Sequence, residues 1–144
     1  MRYSIAEIIQ QANEVRGVHK RAQFLIDNFS NQLWTILDYT FNPDINWIVP
    51  YDLPYNESVD DKAALRTRLY TESRKLFYFT NLTPHNLNQA KLDNLFRTLL
   101  ETIHPDDAKL LLHIIQFRSL PGDKITKKIV EAAFPKLTEI WTVK

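Results

Sequence analysis

Histidine titrates near neutrality and ligates metals, so it is where chemistry is sought first. The four histidines are His19, His85, His104 and His113, with no i, i+4 pair and no HExxH arrangement. The usual helical zinc geometries are therefore missing. His104 followed by Asp106 and Asp107 is a weak cation set, and the preferred reading is a helix junction whose first turn carries acids. Nucleophilic catalysis needs a hydroxyl or thiol beside a base, usually with glycine-rich turns that make room for oxyanion donors. The chain has zero cysteines and two glycines, Gly17 and Gly122. A cysteine nucleophile, a thiolate metal site and a disulfide are excluded, as are phosphate-cradling loops, which need clustered glycines. Glu57, Asp60, Asp61, Glu101 and Glu131 are carboxylates that only the fold can bring together, and solvated surface acids are the ordinary case. No catalytic residue is assigned, no cofactor is called for, and the expectation is a non-enzyme.

Binding chemistry is better represented. Arg66, Tyr70 and Arg74 recur at four-residue spacing with Phe77 close to the same line, a basic stripe interleaved with aromatics. Guanidinium groups hold phosphates and a ring stacks a base, so the stripe is a candidate nucleic-acid surface, with Lys127 and Lys128 beside Lys124 as a second patch. The competing and preferred reading is a solvated helix face, on which arginine pairs with Glu72 or other acids and Tyr70 lies against the core. Trp47, Tyr51 and Tyr55 fall in a segment without periodicity and are candidate protein-binding residues.

The elements that position these side chains are helices. Ser4 and Glu7 form a capping box ahead of Ile5, Ile8, Ile9, Ala12 and Val15, which predicts a helix over residues 5–15. Gly17 can close it in a left-handed conformation, after which Val18, Ala22, Leu25, Ile26 and Phe29 trace a second apolar stripe. Ser30 caps a third, with Leu33, Ile36, Leu37 and Thr40 on one face. Short connections predict that these three pack as successive antiparallel neighbours. Residues 41–60 contain Pro43, Pro50 and Pro54 and read as a long ordered loop, preferred over a strand at Trp47-Ile48-Val49. Helix is expected again from the cap Asp61 to Phe79, with Leu65, Leu69, Leu76 and Phe79 inward.

Thr83-Pro84 reads as the next helix start, followed by the stripe Leu92, Leu95, Phe96, Leu99, Leu100 and Ile103. Pro105 opens a helix from Ala108 to Gln116 that is apolar nearly all round and should be the most buried. Leu120 to Asp123 is a turn, Thr126 caps a last helix through Ala133, and Pro135 stops it. The fold class expected is all-α: a compact multi-helix bundle or short superhelical stack, in one domain of 144 residues with one long ordered loop.

Composition agrees with that expectation. Apolar residues make up 44% and charged residues 24%, which is ordinary for a globular chain. The net charge of +1 supplies no bulk drive toward nucleic acid or anionic lipid. No run approaches the roughly 20 apolar residues that span a bilayer, and no apolar stretch follows Arg2 as in a secretory signal. A soluble cytoplasmic protein with no membrane partner is expected.

The second half also resembles a family of small proteins of T-even-like tailed bacteriophages, marine ones included. The resemblance lies in Arg74-Lys75-Leu76-Phe77-Tyr78-Phe79, in the run from Leu95 through Glu101 to His104-Pro105-Asp106-Asp107-Ala108, in Leu110-Leu111-Leu112 and Leu120-Pro121-Gly122, and in Ile125 through Glu131-Ala132-Ala133-Phe134-Pro135. Weaker similarity around Asn42-Pro43-Asp44-Ile45 and Pro54-Tyr55 extends it over most of the chain. It implies a phage protein in the infected host's cytoplasm and carries no activity or catalytic residue. The functional expectation is a helical interaction module that binds a phage or host protein through an exposed groove or the 41–60 loop. Nucleic-acid binding through Arg66, Tyr70, Arg74, Lys127 and Lys128 is the second reading.

Overall fold

A helix begins where a side chain can accept the backbone N–H groups of its first turn. The computed structural model, which describes residues 3–83 and 86–142, shows this at most starts. The helices α1 (Ile5–Glu14), α2 (Val18–Asp27) and α3 (Asn31–Phe41) follow in order. Ser4 and Glu7 close the full capping box on α1, and Ser30 Oγ accepts the Leu33 N–H at 3.0 Å on α3. Gly17 does not close α1, which ends at the cap Val15; it has a positive φ of +97° with ψ 141°, outside the left-handed helical region, and stands as the residue before α2.

The helix expected over residues 61–79 is not continuous. Asp61 caps α4 (Lys62–Leu65), a turn separates it from α5 (Arg68–Glu72), and Ser73–Phe79 then tighten into a 3-10 helix. Leu65, Leu69, Leu76 and Phe79 are nonetheless all buried. Seven residues is long for a 3-10 run, whose three-residue repeat eclipses side chains at i and i+3. Ser73, Leu76 and Phe79 therefore share one buried line, where an α-helix would rotate each by about a sixth of a turn.

The fold continues with α6 (Gln89–Thr102), α7 (Pro105–Phe117), α8 (Lys127–Ala133) and α9 (Pro135–Thr142). α6 starts later than the Thr83-Pro84 signal suggested. Asn88 caps it by accepting the Lys91 N–H at 2.8 Å, whereas the Thr83 N–H closes a turn onto Thr80; Pro84 lies outside the described residues. Pro135 does not end the helical structure either. Its fixed φ suits a first helical position, so it opens α9, which buries Leu137 and Trp141. In α7, Leu110, Leu111 and Ile114 are buried, while Leu112 and Ile115 are half-buried and Phe117 is exposed.

The first three helices do not simply stack as successive neighbours. α1 packs on α2 and α7, α2 packs most closely on α8, and α3 packs on the 3-10 segment. Neighbours so distant in sequence make this an irregular bundle and not a sequential superhelical stack. One apolar cluster runs through the helices from Ile5 to Trp141, with Phe96, Leu100, Leu111 and Ile114 fully buried. No strand forms among the described residues; a single bridge joins Trp47 to Thr80. No described helix is long and apolar enough to cross a membrane.

The turn between α7 and α8 is closed by Gly122 at φ +88°, where a Cβ would lie 2.6 Å from Asn13 Nδ2. That same amide nitrogen donates to the Pro121 carbonyl at 2.8 Å, so the turn is sealed onto the end of α1. Gly122→Ala should cost about 1–2 kcal/mol of stability through the left-handed backbone alone, with the clash adding to it. The measurement is a urea-unfolding midpoint against the wild type.

Candidate functional site

The segment from Asn42 to Asp61 is a strap with no hydrogen-bond ladder of its own; a few N–H groups bond within it, and others of its backbone groups are met from outside. Arg118, held at the end of α7 in a left-handed conformation (φ 55°), donates to the carbonyls of Ile45 and Asn42. Burial of this guanidinium lowers its pKa from the usual arginine range. The Ile48 N–H donates to the Phe79 carbonyl, and Asn81 bonds both Asn46 and the Asp44 carbonyl. From α6, Gln89 donates to the Ile48 carbonyl at 3.1 Å and Arg97 to the Pro54 carbonyl at 2.9 Å, while Glu101 accepts the Asn56 N–H at 2.7 Å. The strap thus ties the end of the 3-10 segment to α6.

Between those two elements lies an apolar groove of about 520 Å3. One wall follows from the 3-10 repeat, which lines up Lys75 and Tyr78 with Glu72 at the end of α5, beside the buried line of Ser73, Leu76 and Phe79. Lys75 Nζ and Glu72 Oε2 lie 2.8 Å apart, so the charges on this wall neutralise each other. The other wall is the α6 face of Leu95, Thr98, Leu99 and Thr102. Both threonine hydroxyls donate to carbonyls one turn back, Thr98 to Asn94 at 3.0 Å and Thr102 to Thr98 at 2.6 Å. Their polar ends are spent on their own helix, which leaves methyl groups for the groove. Leu95, expected in the core stripe, is 45% exposed at this wall. With Leu92, Phe96, Leu99 and Leu100 pointing inward, Leu95 sits on the flank of the apolar face and not at its centre.

The basic and aromatic residues are brought together only in part. Arg66 Nε lies 2.9 Å from Glu7 Oε1, joining the α4–α5 junction to the capping box of α1. Tyr70 is 8% exposed and its hydroxyl donates to the Tyr3 carbonyl at 2.8 Å, so its ring offers no face to a base. Both residues hold the start of α1. Arg74 is exposed on the 3-10 segment, at a polar cleft it shares with Tyr70, Asn31, Gln32 and Thr35. Lys127 and Lys128 are exposed on α8, where Lys127 Nζ stands 5.7 Å from the centroid of a Trp141 ring. Tyr70 and Arg74 thus stay side by side at one cleft, while Arg66 turns to α1 and the two lysines stand apart on α8.

Two of the three loop aromatics also face the protein itself. Trp47 packs edge-on against Tyr39 at 6.0 Å and donates its indole N–H to the Tyr39 carbonyl at 3.1 Å. Tyr55 packs partly buried on the core, and burial, then the Glu57 charge, raises its pKa. Tyr51 is left open to solvent. A strap with few internal bonds needs apolar anchors, and Trp47 and Tyr55 supply them. His104 is the junction residue expected: its Nδ1 accepts the Asp106 N–H at 3.0 Å and caps α7. Among the described residues no three His, Asp or Glu side chains converge on a metal position. Arg118 and the groove carried no local sequence signal, the first because its partners are more than 70 positions away, the second because its walls come from separate elements.

The chain belongs to the DUF6433 family, a family of unknown function whose model matches residues 8–119, a span that includes the strap, both groove walls and Arg118. No curated protein and no solved structure matches it. Replacing Tyr70 with phenylalanine removes one hydrogen bond and should lower stability by about 1 kcal/mol, while Arg74→Ala should leave the unfolding midpoint unchanged. Chemical denaturation of the two variants side by side checks both.

Proposed function

We propose that this DUF6433 protein is a non-enzymatic interaction module of a tailed phage, acting in the cytoplasm of the infected host. It binds a phage or host protein through the groove between the 3-10 segment and α6. The single observation that carries this reading is the groove itself: about 520 Å3, apolar, with a half-exposed leucine on one wall and a self-neutralised ion pair on the other. Two nearly unbroken helical walls with no net charge suit an amphipathic helix whose aliphatic side chains recur at i, i+4 and i+7. A strongly charged occupant finds no complementary charge there. The phage setting rests on the resemblance of the second half of the chain.

The test places a photo-crosslinking amino acid at Thr98 in cells undergoing infection. A discrete protein adduct is expected, and the purified partner should lose at least about tenfold in affinity when Leu95 is replaced by aspartate. Leu95 is exposed enough that this variant keeps its fold, which circular dichroism checks. A partner whose affinity ignores Leu95→Asp ends the reading. Salt-sensitive retention of DNA or RNA reduced by Arg74→Ala would put the nucleic-acid reading in its place.

A further inference from the structure

The first turns of α1 and α7 share one carboxyl group. In α1 the Glu7 N–H is taken by Ser4 Oγ, and the Ala6 N–H is taken by Oδ1 of Asp107 at 2.8 Å, a residue 101 positions away. Asp107 belongs to the first turn of α7, so it joins two helix N-termini. It is 0% exposed, and its second oxygen, Oδ2, is buried without a hydrogen-bond partner. An ionised carboxylate demands donors at both oxygens and tolerates such a place badly; a protonated carboxyl demands less.

The charged surroundings do not rescue the anion. On its own turn stand Asp106 and His104, and His104 Nδ1 is turned to the Asp106 N–H. Lys109, two positions on, is exposed. From α1 comes Glu7, whose charge is met by Arg66 of the α4–α5 junction. On α6, Arg97 and Glu101 are engaged by the strap. Burial, opposed by the Ala6 hydrogen bond and reinforced by Asp106 and Glu7, pushes the Asp107 carboxyl up to about 7. Beyond this contact α1 and α7 run on in the same direction and leave a crevice of about 510 Å3. Ala6 and Asp106 line its near end, Asn13 and His113 its far end.

We propose that Asp107 is a protonation-controlled clasp on this crevice, closed while its carboxyl carries a proton and opened when ionisation draws water to Oδ2. In the open form the hydrated carboxyl titrates near its ordinary 3.8, in the closed form near 7. The proton stabilises the closed form fully below the lower value, and this stabilisation is lost progressively as pH rises to the upper one. Opening becomes roughly a thousandfold easier between those limits and is level above them.

Amide hydrogen exchange on the full chain, corrected for the intrinsic pH dependence, reads this directly. Protection at Ala6 should fall as pH rises toward neutrality and then level off, while Val130 in α8 changes far less. The Asp107 carboxyl 13C resonance should titrate with a midpoint near neutrality, and Asp107→Asn should give Ala6 a flat profile. Protection at Ala6 that is flat or rises with pH overturns the clasp. So does a loss shared equally by Val130, a carboxyl midpoint in the ordinary acidic range, or an Asp107→Asn variant that keeps the wild-type profile. Where that variant fails to fold, the wild-type comparison of Ala6 with Val130 and the carbon titration decide.

Discussion

A peptide segment without a hydrogen-bond ladder must find donors and acceptors elsewhere or leave them to water, and the strap from Asn42 to Asp61 is organised by that constraint. Its carbonyls are taken by Arg118, Asn81, Gln89 and Arg97, and its Ile48 and Asn56 N–H groups by the Phe79 carbonyl and the Glu101 carboxylate. These partners come from the end of α7, the end of the 3-10 segment and the length of α6. Holding the strap therefore also fixes the separation of the two groove walls. The groove persists because the elements beside it are tied together by a segment that needs them.

The 3-10 segment shows how backbone geometry converts one sequence into two surfaces. Its repeat of three sends Ser73, Leu76 and Phe79 inward, where Phe79 meets Phe96 with ring centroids 5.0 Å apart, and aligns Lys75 and Tyr78 with Glu72 along the groove. An α-helix over the same residues would fan each set over about a third of a turn and blur the wall. The poorer hydrogen bonds of the 3-10 form are offset by burial of Leu76 and Phe79, each worth about 2 kcal/mol.

Polar side chains at helix starts carry much of the remaining organisation, locally and across the fold. Ser4, Ser30, Asn88 and His104 cap their own helices, whereas Asp107 caps another helix and does so buried. Arg66 and Tyr70 close on the same region, so the start of α1 is held from two sides. Arg66 and Tyr70, which read in sequence as part of a ligand-binding stripe, meet partners that are distant in the chain and adjacent in space.

What the sequence by itself determined is the all-α class and the local starts and stops: the Ser4–Glu7 box, the Ser30 and Asp61 caps, the His104-Pro105 junction, the 120–123 turn and the inward faces of α1 and α3, whereas in the stripe of α2 only Ala22 and Leu25 are buried and Val18, Ile26 and Phe29 are exposed. Each depends on interactions within about one helical turn, which residue type and spacing describe. Only the tertiary structure decided that residues 62–79 break into α4, α5 and a 3-10 run, that Pro135 starts α9, that Leu95 faces a groove, and that Trp47 and Tyr55 anchor the strap. The same holds for the cross-chain roles of Arg118 and Asp107. These outcomes turn on which distant element supplies a partner or covers a face, and the spacing of residues along one helix carries no record of that.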